Sequence, residues 1–308
     1  MCLPNFTSIL FLLSLLATLA MSAIAQAETG ADQKFSLSLP ERTSNDLGWT
    51  LQLPENEKVI FKGVVNYDAS GQSGNGMLYP APNAGGFLVG LLTHAIILES
   101  MKGRQKTAAQ EAADKVLVPY LDIVQAYTHR ELMQRAVDKI SMARPVHLVP
   151  YSEKNEAEWL IQSVPIFSLT QDQTALVLDN VISISQPGVP AYVNTIRVVS
   201  AANEEPQIVQ YWTANQGEKL KAVSAGMVAD SLQIALKSAA GSLSTDNTAY
   251  KTVRYVEGKT EKMERALLLS EQCNRVLIKT LRGWLMSIPV ARTESTPALC
   301  IGVSANRH

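Results

Sequence analysis

The chain has 308 residues, 46% of them hydrophobic, and a formal charge of −1. That charge leaves no basic stripe of the kind a nucleic-acid partner needs, and the hydrophobic share is that of an ordinary globular protein. Beyond the N-terminal leader, no segment offers the run of about 18 apolar residues that a membrane-spanning helix requires.

Ile9 to Met21 is apolar apart from Ser14 and Thr18, and Ala25-Gln26-Ala27 follows before Glu28. The run is too short to span a bilayer and ends in a small-x-small site. Residues 1–27 therefore read as a secretory signal peptide cleaved before Glu28. Met1 to Ser8 carries no Lys or Arg, which leaves the α-amino group as the leader's positive charge. An uncleaved anchor is the alternative. Cys2 lies inside the signal, so it cannot be the lipid-modified first residue of a mature lipoprotein, and Cys273 and Cys300 remain. An oxidising compartment favours a disulfide between them, contributing roughly 3–4 kcal/mol by chain entropy. Two free thiols acting as small core residues are the competing reading.

Residues 28–83 read as a polar leader with short strands. Trp49 to Leu53 alternates and stops at Pro54, and Val59 to Val65 is rich in β-branched residues. The glycines of Ser70-Gly71-Gln72-Ser73-Gly74-Asn75-Gly76 match no phosphate-binding fingerprint and form a surface loop.

Residues 84–245 form the expected core domain. Gly85 to Leu98 is apolar on almost every side and needs cover all round, from the domain, a partner chain or lipid. Gly86 and Gly90 share one face of it and would let another backbone come close. His94 joins that face, either as a buried neutral imidazole or as an ionisable group at an interface. A second helix starts near Thr107, is interrupted around Pro119 and resumes at Leu121. It carries an apolar stripe of Met133, Ala136, Val137 and Ile140, with Arg130, Glu131, Arg135 and Asp138 facing away. Leu176 to Ile184, Ala191 to Val199 and Ile208 to Trp212 then read as an antiparallel meander with short turns, which needs helices on only one side. The cleanest helix is 216–241, with Gly241 as its C-terminal cap.

Residues 246–308 read as a C-terminal segment packed on the core. The apolar spacing of Met263 to Leu285 favours a helix over a strand, with Arg265, Arg275 and Arg282 on its solvated face. The fold class expected is α+β, an antiparallel sheet with helices packed on one face, after a cleaved signal peptide.

Catalytic motifs are absent. There is no HExxH, CxxC or GxSxG, and Gly258-Lys259-Thr260 lacks the earlier glycine of a nucleotide-binding loop, where Val253 stands. The four histidines, His94, His129, His147 and His308, show no ligand spacing. No metal and no cofactor are expected, although a Ser/His/Asp triad assembled in space would leave no trace in sequence.

Strands, an apolar helix led by Gly85-Gly86, a long helix, strands ending in Tyr211-Trp212, and an amphipathic helix follow one another. Over roughly residues 50–241 this order resembles a group of bacterial envelope proteins. The N-terminal domain of the Tol–Pal translocation protein and the curli-export lipoprotein belong to it. Gly85-Gly86-Phe87-Leu88-Val89-Gly90 is the most specific piece. The chain departs from the lipoprotein members in lacking a lipid-attachment cysteine, and residues 263–308 have no counterpart. The resemblance implies a non-catalytic binding or assembly factor in envelope biogenesis, in the periplasm or on the inner face of the outer membrane. Its partner would be an envelope protein or a second copy, met through the 85–98 helix, with peripheral membrane contact. A periplasmic hydrolase with a hidden triad and a structural homo-oligomer are the alternatives.

Overall fold

The computed structural model describes residues 49–65, 101–140, 146–152, 159–186, 188–243, 249–272 and 275–289. The signal peptide, the glycine-rich loop, the expected 85–98 helix with Gly86, Gly90 and His94, and both Cys273 and Cys300 lie outside these residues. What is described falls within one compact unit, residues 36–308. It is a mixed α/β structure with one large sheet and few helices.

The N-terminal strands β1 (Trp49–Gln52) and β2 (Ile60–Gly63) precede the helices α1 (Met101–Asp114), α2 (Leu121–Ala126) and α3 (His129–Val137). A 3₁₀ segment, Lys115–Tyr120, joins α1 to α2 and contains Pro119, whose missing N–H is tolerated in such a connector. Then come β3 (Val146–Val149), β4 (Leu160–Leu169), β5 (Leu176–Gln186), β6 (Val189–Val199) and α4 (Ile208–Ala239). The last described elements are β7 (Lys251–Glu257), β8 (Thr260–Gln272), β9 (Arg275–Thr280) and β10 (Leu285–Pro289).

The strands form one sheet in the order β3-β1-β4-β5-β6-β10-β9-β8-β7, with β2 paired to β4 further along the edge that β1 occupies. The sheet is mixed, not antiparallel as the sequence led us to expect. β1, β2 and β3 run in the same direction as their neighbours, and β10 runs parallel to β6. The cause is connectivity: β1 and β2 are separated from β4 by a long helical crossover, which brings the chain back in the same direction.

Ile208 to Trp212 is helical, not the third strand of a meander. Five residues, four of them apolar and interrupted by Gln210, are too few to carry a periodicity that separates the two states. Here tertiary contacts decide it, with Trp212 Nε1 donating to Gln173 O at 2.7 Å. The helix then breaks: Ala214 is extended, and Asn215, Gln216 and Gly217 adopt left-handed φ of 51°, 58° and 79°. From Glu218 it runs as expected. Leu220, Met227, Val228, Leu232, Ala235 and Ala239 are buried, and Gly241, φ 70°, closes it. The amides of Gly241 and Ser242 bond to Ser238 O and Lys237 O, the pattern of a Schellman cap.

The described residues from Met263 to Leu285 are the strands β8 and β9, a turn at 281–284 and the start of β10, which corrects the expected helix. A bulge between Leu268 and Ser270 shifts the register of β8 against β9. That extra residue flips the inward phase and hides the period-2 pattern that would otherwise reveal a strand. Arg275 accordingly does not lie on a solvated helix face. Its guanidinium donates to Val199 O at 2.8 Å and Ser287 O at 2.9 Å, tying β9 to β10 and β6.

Both faces of the central strands are covered. On one, α4 packs through a buried polar chain: Ser163 Oγ donates to Asn180 Oδ1 at 2.9 Å, and Asn180 Nδ2 to Ser231 Oγ at 2.8 Å. Every member is satisfied, so the cost of burying them is met while the helix is fixed in register. By strand alternation Asp179 and Ser183 point to the opposite face from Asn180. There Val177, Val199, Tyr255, Val276, Ile278, Met286 and Ile288 form one cluster. β5 and β7 are five places apart in the strand order, about 24 Å in a flat sheet at ~4.8 Å per strand. Their sharing a cluster requires the sheet to coil back over itself, and Cα atoms of β7 and β10 do come within 8 Å.

Candidate functional site

The coil is closed by a single turn. Thr170 to Ala175, between β4 and β5, meets several otherwise separate segments. Asp172 accepts from Thr170 Oγ1 at 2.6 Å, Thr174 Oγ1 at 2.7 Å, Thr174 N at 3.0 Å and Lys259 N at 2.6 Å. Lys259 belongs to the tip of the β7–β8 hairpin, so this carboxylate fastens the hairpin to the far side of the sheet. Gly258, φ 65°, is the first of the two loop residues, where tight hairpins favour glycine. A Cβ there would lie 2.7 Å from the Asp172 oxygens. Gly258-Lys259-Thr260 is thus a docked hairpin tip.

The same turn holds the helices. Gln173, at φ 60°, receives Tyr120 Oη on its side chain at 2.6 Å and Trp212 Nε1 on its carbonyl. Gln171 Nε2 donates to Val64 O at 2.8 Å and to Ala113 O at 3.2 Å.

Beneath the docked hairpin lies a cleft of about 360 Å³. Strand alternation places its groups. Asp179 and Arg197 are direct cross-strand partners on β5 and β6, and Tyr255 and Lys262 are partners on β7 and β8. Glu257 follows Tyr255 by two residues and shares its face. Arg197 grips Asp179 with two bonds, Nε to Oδ1 at 2.6 Å and Nη2 to Oδ2 at 2.7 Å, and lies 5.6 Å from the centre of the Trp284 ring. Burial works against the guanidinium's charge, but Asp179 outweighs it and holds the pKa above its ordinary value.

Glu257 is in the opposite position. It is 8% exposed, and burial raises its pKa despite the opposing pull of Lys262 and Arg197. Among the described residues its carboxyl group makes no hydrogen bond and no ion pair within 4 Å. Tyr255 beside it is pushed up to about 12, by burial first and then by Glu257. The cleft therefore combines an anchored cation, a half-buried ammonium at Lys262 and a desolvated carboxyl group without a close partner.

The second helix of the sequence reading starts earlier, at Met101, and is divided into α1, α2 and α3. Glu131 and Arg135 do not face solvent alone: Arg135 bonds Glu218 at 2.6 Å, and Lys221 lies 3.2 Å from Glu131, bridging α3 to α4. His129 opens α3 behind the Thr128 cap, which accepts from Glu131 N at 3.2 Å. A carbonyl can only accept, so His129 Nδ1 carries the proton and donates to Asn56 O at 2.6 Å. Nε2 is buried without a partner. Burial lowers the pKa of this imidazole against the effect of the Asn56 bond.

That shift has a testable consequence. Below about pH 6.5 an unfolded His129 takes a proton that the folded site resists, so the unfolded state binds more protons and stability is lost as pH falls. Urea unfolding is expected to show lower stability at pH 5.5 than at pH 7.5. His129→Gln should flatten that slope, and an unchanged slope in the variant would place its origin elsewhere.

Asp179, Arg197, Glu257 and Lys262 were not singled out by the sequence. The one signal was charge interrupting apolar alternation, as Asp179 does between Leu178 and Val181, and it does not say which strands meet across a coil. His147 lies on β3, away from the cleft residues in the strand order. Comparison of the chain with protein-family profiles and with curated protein sequences gives no match.

Proposed function

We propose that this chain is an exported, non-catalytic binding factor of the bacterial cell envelope, and that it binds a small polar ligand in the cleft under the β7–β8 hairpin. The observation that carries the reading is the cleft itself. Opposed charges converge on a walled space of about 360 Å³, within the usual range for small-molecule sites. The leader read at residues 1–27 supports the envelope assignment, and the resemblance to the Tol–Pal and curli-export group now rests on the sequence around Gly85-Gly86, since Tyr211-Trp212 are helical and do not end a strand. Cleavage before Glu28, grouping of the helices on one face, a Cys273–Cys300 bridge and an interface through the 85–98 helix belong to the same proposal.

The test is a thermal-shift panel of free amino acids, short peptides, simple sugars and inorganic phosphate, run on the wild type and on Ser168→Trp. Ser168 lines the cleft from β4, so the indole should fill it. A ligand at a hundredfold excess over Kd stabilises the folded state by about 2.7 kcal/mol, a rise in Tm on the order of 5–11 °C. At least one class is expected to raise Tm in the wild type and not in the variant. No shift from any class, or equal shifts in both proteins, would overturn the reading.

A further inference from the structure

Resting on that reading, we infer that the ligand is a small zwitterion, an amino acid or a molecule of the same headgroup, whose ammonium meets Glu257 and whose carboxylate meets Lys262 and the free Nη1 of Arg197. The inference starts from what the cleft leaves unpaired. Arg197 uses Nε and Nη2 on Asp179, while Nη1 makes no hydrogen bond among the described residues. Lys262 likewise makes no ion pair there. Glu257 is more than nine-tenths buried and lines the cleft, and its carboxyl group makes neither a hydrogen bond nor an ion pair among the described residues. A desolvated carboxylate without a close cation is costly, and natural sites resolve this by pairing it. The formal charges of Asp179, Arg197, Glu257 and Lys262 cancel, so a ligand of single charge would leave one pole of the site unmatched. A zwitterion fills both.

The scaffold suits discrimination as well. Arg197 is fixed by two bonds to Asp179 and by the Trp284 ring, so its remaining donor is pre-aimed and little side-chain freedom is lost on binding. Glu257 and Lys262 both sit on the hairpin that Asp172 fastens, and Arg197 stands on β6, so a ligand reaching from Glu257 to Arg197 would tie the hairpin to the strand layer below it.

The experiment is isothermal titration calorimetry of the full mature chain with glycine, L-alanine and D-alanine, against acetate and methylammonium as single-charge probes. The variants are Glu257→Gln and Lys262→Met, with circular dichroism and Tm recorded for each to establish folding. At least one zwitterion is expected to bind tenfold or more tightly than either single-charge probe. Glu257→Gln should erase that preference by weakening the zwitterions without weakening acetate, and Lys262→Met should weaken zwitterions and acetate alike. Acetate binding as well as the zwitterions in the wild type, or a folded Glu257→Gln protein with undiminished preference, would overturn the assignment of the ammonium to Glu257 while leaving the cleft a binding site. Binding by none of these probes, together with a thermal shift from a sugar or phosphate, would overturn the zwitterion alone. Silence from both panels would overturn the binding reading beneath it.

Discussion

Gly63→Ala is expected to be among the most destabilising single substitutions in the chain. Gly63 ends β2 against the C-terminus of α1, where its amide donates to Asp114 Oδ1 at 2.7 Å and its carbonyl accepts from Gln110 Nε2 at 3.0 Å. A Cβ at this position would overlap the Ala113 carbonyl and lie 2.9 Å from Asp114 N. The obstacle is backbone held in a helix, so no side chain can swing aside to relieve it. Overpacking costs about 1–3 kcal/mol where neighbours can adjust, and here the two hydrogen bonds would be displaced as well. A loss of about 3 kcal/mol or more is expected, lowering Tm by on the order of 6–12 °C in calorimetry. An alanine variant melting within a degree or two of the wild type would show that β2 and α1 do not meet at this distance.

Asp172→Ala is expected to cost nearly as much, for a different reason. The carboxylate accepts four hydrogen bonds, one of them from the hairpin amide of Lys259. Bonds to a charged group contribute about 1.5–3 kcal/mol each at most, with strong overlap among neighbours, so a net loss of about 2–4 kcal/mol follows. Burial opposes ionisation of Asp172, but the bonds from Thr170, Thr174 and Lys259 outweigh it and hold the pKa below the ordinary value. A depressed pKa contributes stability that is whole above the unfolded value of about 3.9 and disappears as pH falls through the folded one. The wild type should therefore lose part of its acid stability below about pH 4, and Asp172→Ala should lack that portion of the curve. Chemical unfolding from pH 7 to pH 3 reads both effects. Parallel curves for the two proteins would remove Asp172 from the account of closure.

What the sequence disclosed is what local chemistry decides. The capped amphipathic helix ending at Gly241 was legible because its stripe and its terminal glycine agree. β5 and β6 were legible because their alternation is long and Gly188 supplies the turn between them. The strands after residue 260 were not, since the bulge at Leu268 to Ser270 broke the phase by which a strand is recognised. Ile208 to Trp212 failed differently: the run is too short to show a period, and Gln173, a residue far away in the chain, fixes its state. The cleft was hidden for a third reason. Asp179 and Arg197 can be paired from the β5–β6 hairpin alone, but Glu257 and Lys262 join them only because the sheet coils, and that coil is held by Asp172 in a turn whose sequence, Thr-Gln-Asp-Gln-Thr-Ala, looks like any polar loop. The mixed strand order was equally out of reach, because direction is set by the crossover through α1 to α3 and not by any residue in β1 or β2.

Closure of the sheet by the hairpin is the premise on which the cleft, its charges and its ligand all depend, and amide hydrogen exchange at Lys259 reads it directly. In a closed sheet this amide donates to Asp172 Oδ2 at 2.6 Å, although it sits at the tip of a hairpin where amides otherwise exchange freely. Measured by NMR in the native protein, Lys259 should exchange more slowly than its unstructured-peptide rate. In Asp172→Ala it should accelerate to that rate while the amides of Ile182 and Ile196 in the central strands keep their protection. Exchange of Lys259 at the unstructured rate in the wild type would contradict the closure, and the cleft would go with it.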